Sequence, residues 1–329
     1  MKKVLISIIA YFLLTFSVLA NIFTVYLNPV GYYSANLSKL SSIAIINLAY
    51  AQINSDFSVS STNKMLQFNS ANKPTDLSLS SIGLAYREWT TFKNNNRLKK
   101  IVVTVNGDWS LLTNEENARR FTLKLLNIAN EKYPVYFNMG SFYEERGYVD
   151  IDGIDLDFRM SGRPSEAQQR YLARVINEFK RTLPNKIISL TINATAADLY
   201  VCQQANRSPE EKCSNKNGSP NAGEMYIFLN RYLKISDLSF VNLMVKDNNV
   251  NYEIALANMG QYIPKDKLIL NIAIRNGDKL KSVVDMEEKI KNIKNLGYGG
   301  ISVYGIDMSK QDHIDIINYL FNLSSDVVQ

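Results

Sequence analysis

The chain has 329 residues, is 46% hydrophobic and carries a formal charge of +6, enough apolar material for a sizeable core and too much for a disordered polyelectrolyte. Both charge signs are interspersed and no run of Lys and Arg would cradle a phosphate backbone, so nucleic acid is not an expected partner. Length alone leaves one large domain or two small ones open, because α/β barrels routinely run past about 250 residues as one unit.

The chain opens Met1-Lys2-Lys3 and continues with an uncharged apolar stretch from Val4 to Leu19. This reads as a secretory signal peptide over 1–20, cut after Ala20, which leaves 21–329 as the folded domain and predicts a secreted or periplasmic protein. An uncleaved anchor is the alternative, although the stretch is slightly short of the roughly 20 residues that span a bilayer. No second apolar run of that length follows, so no membrane span is expected after the signal is removed.

Short β-branched runs then alternate with amphipathic stretches, the pattern of βα units around a parallel sheet. The runs Ile22 to Leu27, Ile43 to Tyr50, Ile101 to Val105, Ile154 to Phe158, Ile187 to Ile192, Phe240 to Val245, Leu268 to Ile274 and Ile301 to Tyr304 give eight strands. Between them, Thr113-x-x-Glu116 predicts a capping box for a helix with Phe121, Leu125 and Ile128 on one face. Ser165-x-x-Gln168 does the same for Leu172, Val175, Ile176, Phe179 and Leu183. A later helix carries Met286, Ile290, Ile293 and Leu296 and stops at Gly297. Eight strands with intervening helices point to an α/β fold of (β/α)₈ barrel type. The long polar segments 54–75 and 205–223 follow strands two and five, and so fall on the face where barrel sites are built.

The two cysteines, Cys202 and Cys213, flank a polar segment, and in an exported chain they read as a disulfide clasping one loop; two free thiols are the alternative. His313 is the sole histidine and lies far along the chain, so no metal site and no cofactor are expected. It reads as a residue near the start of the last helix.

Chemistry concentrates in Asp152-Gly153-Ile154-Asp155-Leu156-Asp157-Phe158-Arg159. Alternation along a strand turns Asp155, Asp157 and Arg159 to one face, the lumen of a barrel, and Ile154, Leu156 and Phe158 to the other. Two carboxylates on successive inward positions cost several kcal/mol unless compensated, so a chemical role is more economical than accident.

The string resembles the fourth-strand motif of glycoside hydrolase family 18, the chitinases and chitinase-like proteins, D-G-x-D-x-D-x-E. In that family the last glutamate protonates the glycosidic oxygen and the sugar's acetamido group is the nucleophile. Arg159 stands in its place here, and a guanidinium releases no proton at relevant pH. Weaker likenesses run along the chain. Ala49-Tyr50-Ala51 resembles the second strand, and Thr104-Val105-Asn106-Gly107 the third. Met244-Val245-Lys246-Asp247 resembles the sixth-strand M-x-Y-D with Lys246 in the tyrosine's place. Tyr304 stands where the family usually keeps a tryptophan floor under the sugar.

What the resemblance implies is a degenerate site, Asp152, Asp155, Asp157 and Lys246, with no catalytic acid and a charge-paired cluster, mainly Asp157 with Arg159, in the lumen. It also implies a carbohydrate partner, an N-acetylglucosamine-containing glycan, held by Tyr50, Asn106, Trp109, Met244, Asp247 and Tyr304 and not cleaved. Hydrolysis through a relocated acid, with Glu166, Glu144 or Glu145 as candidates, is a second reading. A barrel used as a protein-binding scaffold is a third.

Overall fold

The computed structural model describes residues 22–27, 37–40, 42–61, 66, 81–140, 142–159, 162–207, 211–245, 249–276, 279–308 and 310–325. The expected signal peptide at 1–20, and Lys246 and Asp247, lie outside the described residues.

Eight parallel strands close on themselves. They are β1 (Ile22–Leu27), β2 (Ile45–Ile53), β3 (Lys100–Asn106), β4 (Gly153–Asp157), β5 (Ile187–Asn193), β6 (Phe240–Met244), β7 (Leu268–Ala273) and β8 (Gly300–Tyr304). Each pairs in parallel with its chain neighbour, and β1 pairs with both β2 and β8, which completes the barrel. The described α-helices are α1 (Ser81–Asn95), α2 (Glu115–Asn130), α3 (Glu166–Thr182), α4 (Tyr252–Met259), α5 (Val283–Asn295) and α6 (Gln311–Ser325). The fold is therefore a (β/α)₈ barrel, as the alternating runs predict. Between β5 and β6, however, the described chain makes short 3₁₀ turns and a π-helical turn at Phe228–Tyr232 in place of an α-helix.

Outward strand residues such as Val25, Ile46, Val103, Leu156 and Ile272 meet the helices in one continuous core. The helix faces supply the other half: Phe121, Leu125 and Ile128 on α2, and Leu172, Val175, Ile176 and Phe179 on α3, are all buried. Each such side chain contributes roughly 1.5–3 kcal/mol on leaving water. Ser165 and Gln168 form the expected capping box. The start of α2 differs from expectation: Asn114, not Thr113, caps it by accepting from the Asn117 N–H, while Glu116 pairs with Arg119 on the surface. Gly297 ends α5 at φ +73° as expected. Leu296 leaves the buried face there and is exposed.

Inside the barrel, Ile22, Ile45, Val102, Phe240 and Ile269, with Ile187 packed against them, form a separate apolar cluster near the N-terminal ends of the strands. This is the floor of the lumen. Gly153 belongs to the same level, where a Cβ would lie 2.1 Å from the Ile187 carbonyl oxygen, so the glycine of the D-G pair is required by the close approach of β5.

One element escapes the sequence pattern. Tyr133–Asn138 and Tyr143–Val149 form an antiparallel hairpin, inserted between α2 and β4. It packs on α1, where Trp89 meets Tyr133 edge-on at 4.9 Å and the Tyr86 hydroxyl donates to the Pro134 carbonyl at 2.8 Å.

Candidate functional site at the barrel mouth

Above the floor the lumen turns polar. Thr104, Asp155 and Ser189 sit side by side in the register of β3, β4 and β5, and all three are buried. Asp155 accepts from Ser189 Oγ at 2.7 Å, Tyr26 Oη at 2.9 Å and Thr191 Oγ1 at 2.9 and 3.1 Å. Asn242 Nδ2 donates to Tyr26 Oη at 2.7 Å and reaches Asp155 at 3.4 Å. Burial pushes the Asp155 carboxyl above its ordinary pKa; the Ser189 hydrogen bond opposes this and the Asp157 charge adds to it. Tyr26 is pushed well up by burial and by Asp155, so it serves as a neutral donor.

At the next inward position Asp157 meets Arg159 in a two-point pair, Nε to Oδ1 at 2.8 Å and Nη2 to Oδ2 at 2.5 Å, with the Arg159 backbone N–H also donating at 3.2 Å. The two side chains are only 1% and 6% exposed. Burial works against the guanidinium charge, but the Asp157 hydrogen bonds and charge outweigh it and raise its pKa. Arg159 Nη2 also reaches the Tyr50 hydroxyl at 3.4 Å. Burial raises the Tyr304 pKa while the Arg159 charge opposes it, so Tyr304 shares the guanidinium's surroundings. Both tyrosines are half-buried, and the Ala49–Tyr50 peptide is cis.

The other sequence candidates divide. Asn106 is half-buried and sits opposite Asp157 in the register of β3 and β4. Met244 ends β6 beside Asn193 and is buried. Asp152 is not in the lumen. It lies before β4, near the N-terminal ends of the strands, and accepts from the Ile101 N–H at 2.8 Å, Lys93 Nζ at 2.6 Å and Lys100 Nζ at 3.2 Å. It is a clamp between strand ends, and the charge cluster expected around it is confined to Asp155, Asp157 and Arg159 among the described residues. Trp109 does not offer a ring for stacking either. It is 4% exposed, tilts against Phe158 at 4.4 Å and donates its indole N–H to the Gly162 carbonyl. Phe158 faces the helices, as alternation predicts, touching Phe121.

The nominal replacement acids are engaged by partners outside the lumen cluster. Glu166 is in the first turn of α3, held by Arg231 and Tyr232. Glu144 pairs with Arg146, and Glu145 bonds Tyr148, both on the inserted hairpin. The cysteines form the expected disulfide, in the loop that follows β5.

Sequence reasoning passed over Tyr26, Ser189, Thr191, Asn193, Asn242 and the buried Glu224, which accepts from Asn193 Nδ2 at 2.7 Å. The signal was present: each strand carries a polar residue at inward parity. The same parity places Thr24, Asn47, Asn271 and Ser302 in the lumen, where their side-chain polar atoms have no hydrogen-bond partner among the described residues. Ordered water commonly satisfies such groups.

No family model matches the chain. Many solved structures share its fold. A chitinase from Rhizomucor miehei aligns over 92% of this chain and 100% of its own, with a TM-score of 0.60 at 13% identity. A chitinase-like agglutinin from Robinia pseudoacacia covers 91% and 99% at 0.57 and 11%. A GH18 chitinase from Cycas revoluta in complex with (GlcNAc)3 covers 93% and 99% at 0.56 and 12%. The barrel is thus chitinase-like in fold. Sequence likeness points elsewhere: malate dehydrogenases from Pyrobaculum aerophilum and Pyrobaculum islandicum are 26% identical over 155 residues and 23% over 161. These matches cover 44% and 46% of this chain, which spans about half the length of the curated relatives it matches. A quarter identity over less than half the chain assigns it no dehydrogenase activity, and the chain contains no G-x-G-x-x-G string of the kind that cradles a dinucleotide.

Proposed function

We propose that this protein binds an N-acetylglucosamine-containing glycan at the mouth of a chitinase-like barrel without cleaving it, and that it is exported through a signal peptide at 1–20. One observation carries the reading: the position of the motif's acid is filled by Arg159, locked in a buried two-point pair with Asp157. General acid catalysis is worth about 10²- to 10⁴-fold, and a guanidinium contributes none of it. Tyr50, Tyr304 and Asn106 supply ring faces and an amide around that pair, chemistry that suits a sugar. The bound (GlcNAc)3 of the Cycas revoluta neighbour supports the ligand class. The disulfide fits an exported protein.

The test is calorimetry of the 21–329 chain with chitin oligosaccharides, with reducing-end release followed on the same sample. Binding without release is expected, and an Arg159→Glu variant should gain measurable release. Release by the unmodified protein would overturn the non-catalytic part, and no binding at all would overturn the glycan part.

A second reading, hydrolysis through a relocated acid, is favoured by Glu224, a buried carboxylate hydrogen-bonded to Asn193 at the top of β5. If release is seen, Glu224→Gln should abolish it.

A further inference from the structure

Beyond Met244 the wall of the barrel opens. β6 pairs with β7 only as far as the couple Met244 and Asn271, whereas β7 continues along β8 to Ala273 opposite Tyr304. A cavity of about 180 Å³ occupies this gap, lined from both faces of the last stretch of β7 by Asn271, Ile272 and Ala273, and from outside by Tyr252, Lys281 and Lys289. At about 30 Å³ for each water molecule, it has room for a small oxyanion and part of its hydration.

Among the described residues, the charged groups that line it are both cations. Lys281 and Lys289 are both half-buried, and neither forms an ion pair with a described residue. Burial first, then the charge of Lys289, pull the Lys281 pKa down; Asp285 opposes this without forming a contact pair. Lys289 Nζ stands 5.6 Å from the centre of the Tyr252 ring. The Glu253 carboxylate accepts from Asn292 and Tyr252 and forms no ion pair with Lys289. Asn271, 1% exposed, has no hydrogen-bond partner for either amide atom among the described residues. Two like charges lining one partly dry cavity, neither in an ion pair with a described residue, repel each other, a cost that an anion between them would reverse.

We infer that this cavity is an oxyanion pocket, in which Lys281 and Lys289 hold a carboxylate or phosphate group carried by a glycan at the barrel mouth or free in solution. The pocket itself is independent of the glycan reading; only the first of these sources rests on it.

The experiment uses the 21–329 chain and three probes, inorganic phosphate, a neutral chitin tetrasaccharide and an N-acetylmuramic-acid-containing oligosaccharide of the same length, with calorimetry and thermal unfolding as readouts. Phosphate should bind and raise Tm in the wild type. The Lys281→Gln/Lys289→Gln variant should lose about tenfold or more in phosphate affinity per lysine, as expected for hydrogen bonds to charged groups. Lys281→Arg/Lys289→Arg should retain binding. Without ligand the Gln variant should unfold at or above the wild-type temperature, because a repulsion has been removed. If the glycan is the source, the carboxylated oligosaccharide binds more tightly than the neutral one, and the Gln variant erases only that preference. Phosphate binding with no oligosaccharide binding supports the pocket and removes the glycan reading. Equal phosphate affinity in wild type and Gln variant, no phosphate binding in either, or a Gln variant that fails to fold would each overturn the pocket, the last by showing the pair to be structural.

Discussion

Asp155 and Asp157 stand two residues apart on one strand and face the same lumen, yet they are accommodated in opposite ways. Asp155 is surrounded by neutral donors, Ser189, Thr191, Tyr26 and Asn242, and its carboxyl is pushed toward the protonated form by burial. Asp157 is met by a full positive charge at two points. The difference lies in what each neighbourhood demands in return. A network of hydroxyls and an amide tolerates loss of one donor, because several others remain. A two-point ion pair does not, because either partner left alone is a bare charge in a dry site.

The sharpest way to break this comparison is Arg159→Leu, expected to lower stability by about 3–5 kcal/mol in urea unfolding because Asp157 is stranded. Adding Asp157→Leu should recover most of that loss. A single-variant cost below about 1 kcal/mol would mean that Asp157 finds another partner. The Asp157 pair should also outweigh the loop clasp, since Cys202→Ala/Cys213→Ala opens a loop of 11-residue separation and is expected to cost about 2–3 kcal/mol. Thr191→Val, which takes one donor from Asp155, should cost about 1–2 kcal/mol, the smaller penalty of a shared network.

The pH dependence follows from the same contrast. A carboxyl whose pKa is raised by folding stabilises the native state fully below its unfolded pKa, and that contribution is lost as pH rises through the folded value. Asp155→Asn should therefore flatten the fall in stability as pH rises above the ordinary carboxylate range. The smallest effect belongs outside the lumen. Glu88 on α1 accepts the Leu37 N–H at 2.6 Å, and burial pushes its carboxyl up to about 7. Glu88→Gln keeps an acceptor there and should remove a modest stability loss between the ordinary glutamate pKa and pH 7, read as a flatter Tm profile.

Much of this was legible in the sequence because a parallel barrel writes its strands as apolar runs. The eight runs agree with the observed strands to within a few residues, and β1 matches at both ends. Strand parity also placed Asp155, Asp157 and Arg159 together. Applied strictly, it would have turned Asp152 away from them, since an even position cannot share their face. The inserted hairpin was hidden because Tyr143–Val149 is rich in charge; what stabilises it is aromatic contact with Tyr86 and Trp89, remote in sequence. Trp109 misled for the opposite reason. The resemblance gave it a place in the sugar site, but the turn after β3 folds it against Phe158, whose ring lies over Gly107 where a Cβ would come within 2.3 Å. Such long-range choices leave no mark in local pattern.

The floor of Ile22, Ile45, Val102, Phe240 and Ile269 makes the barrel a cup and not a pipe. Nothing can thread through a vessel closed at one end, so whatever reaches the polar residues above the floor comes from the opposite rim. Arrival and departure then share one doorway, and the residues at that rim decide what passes.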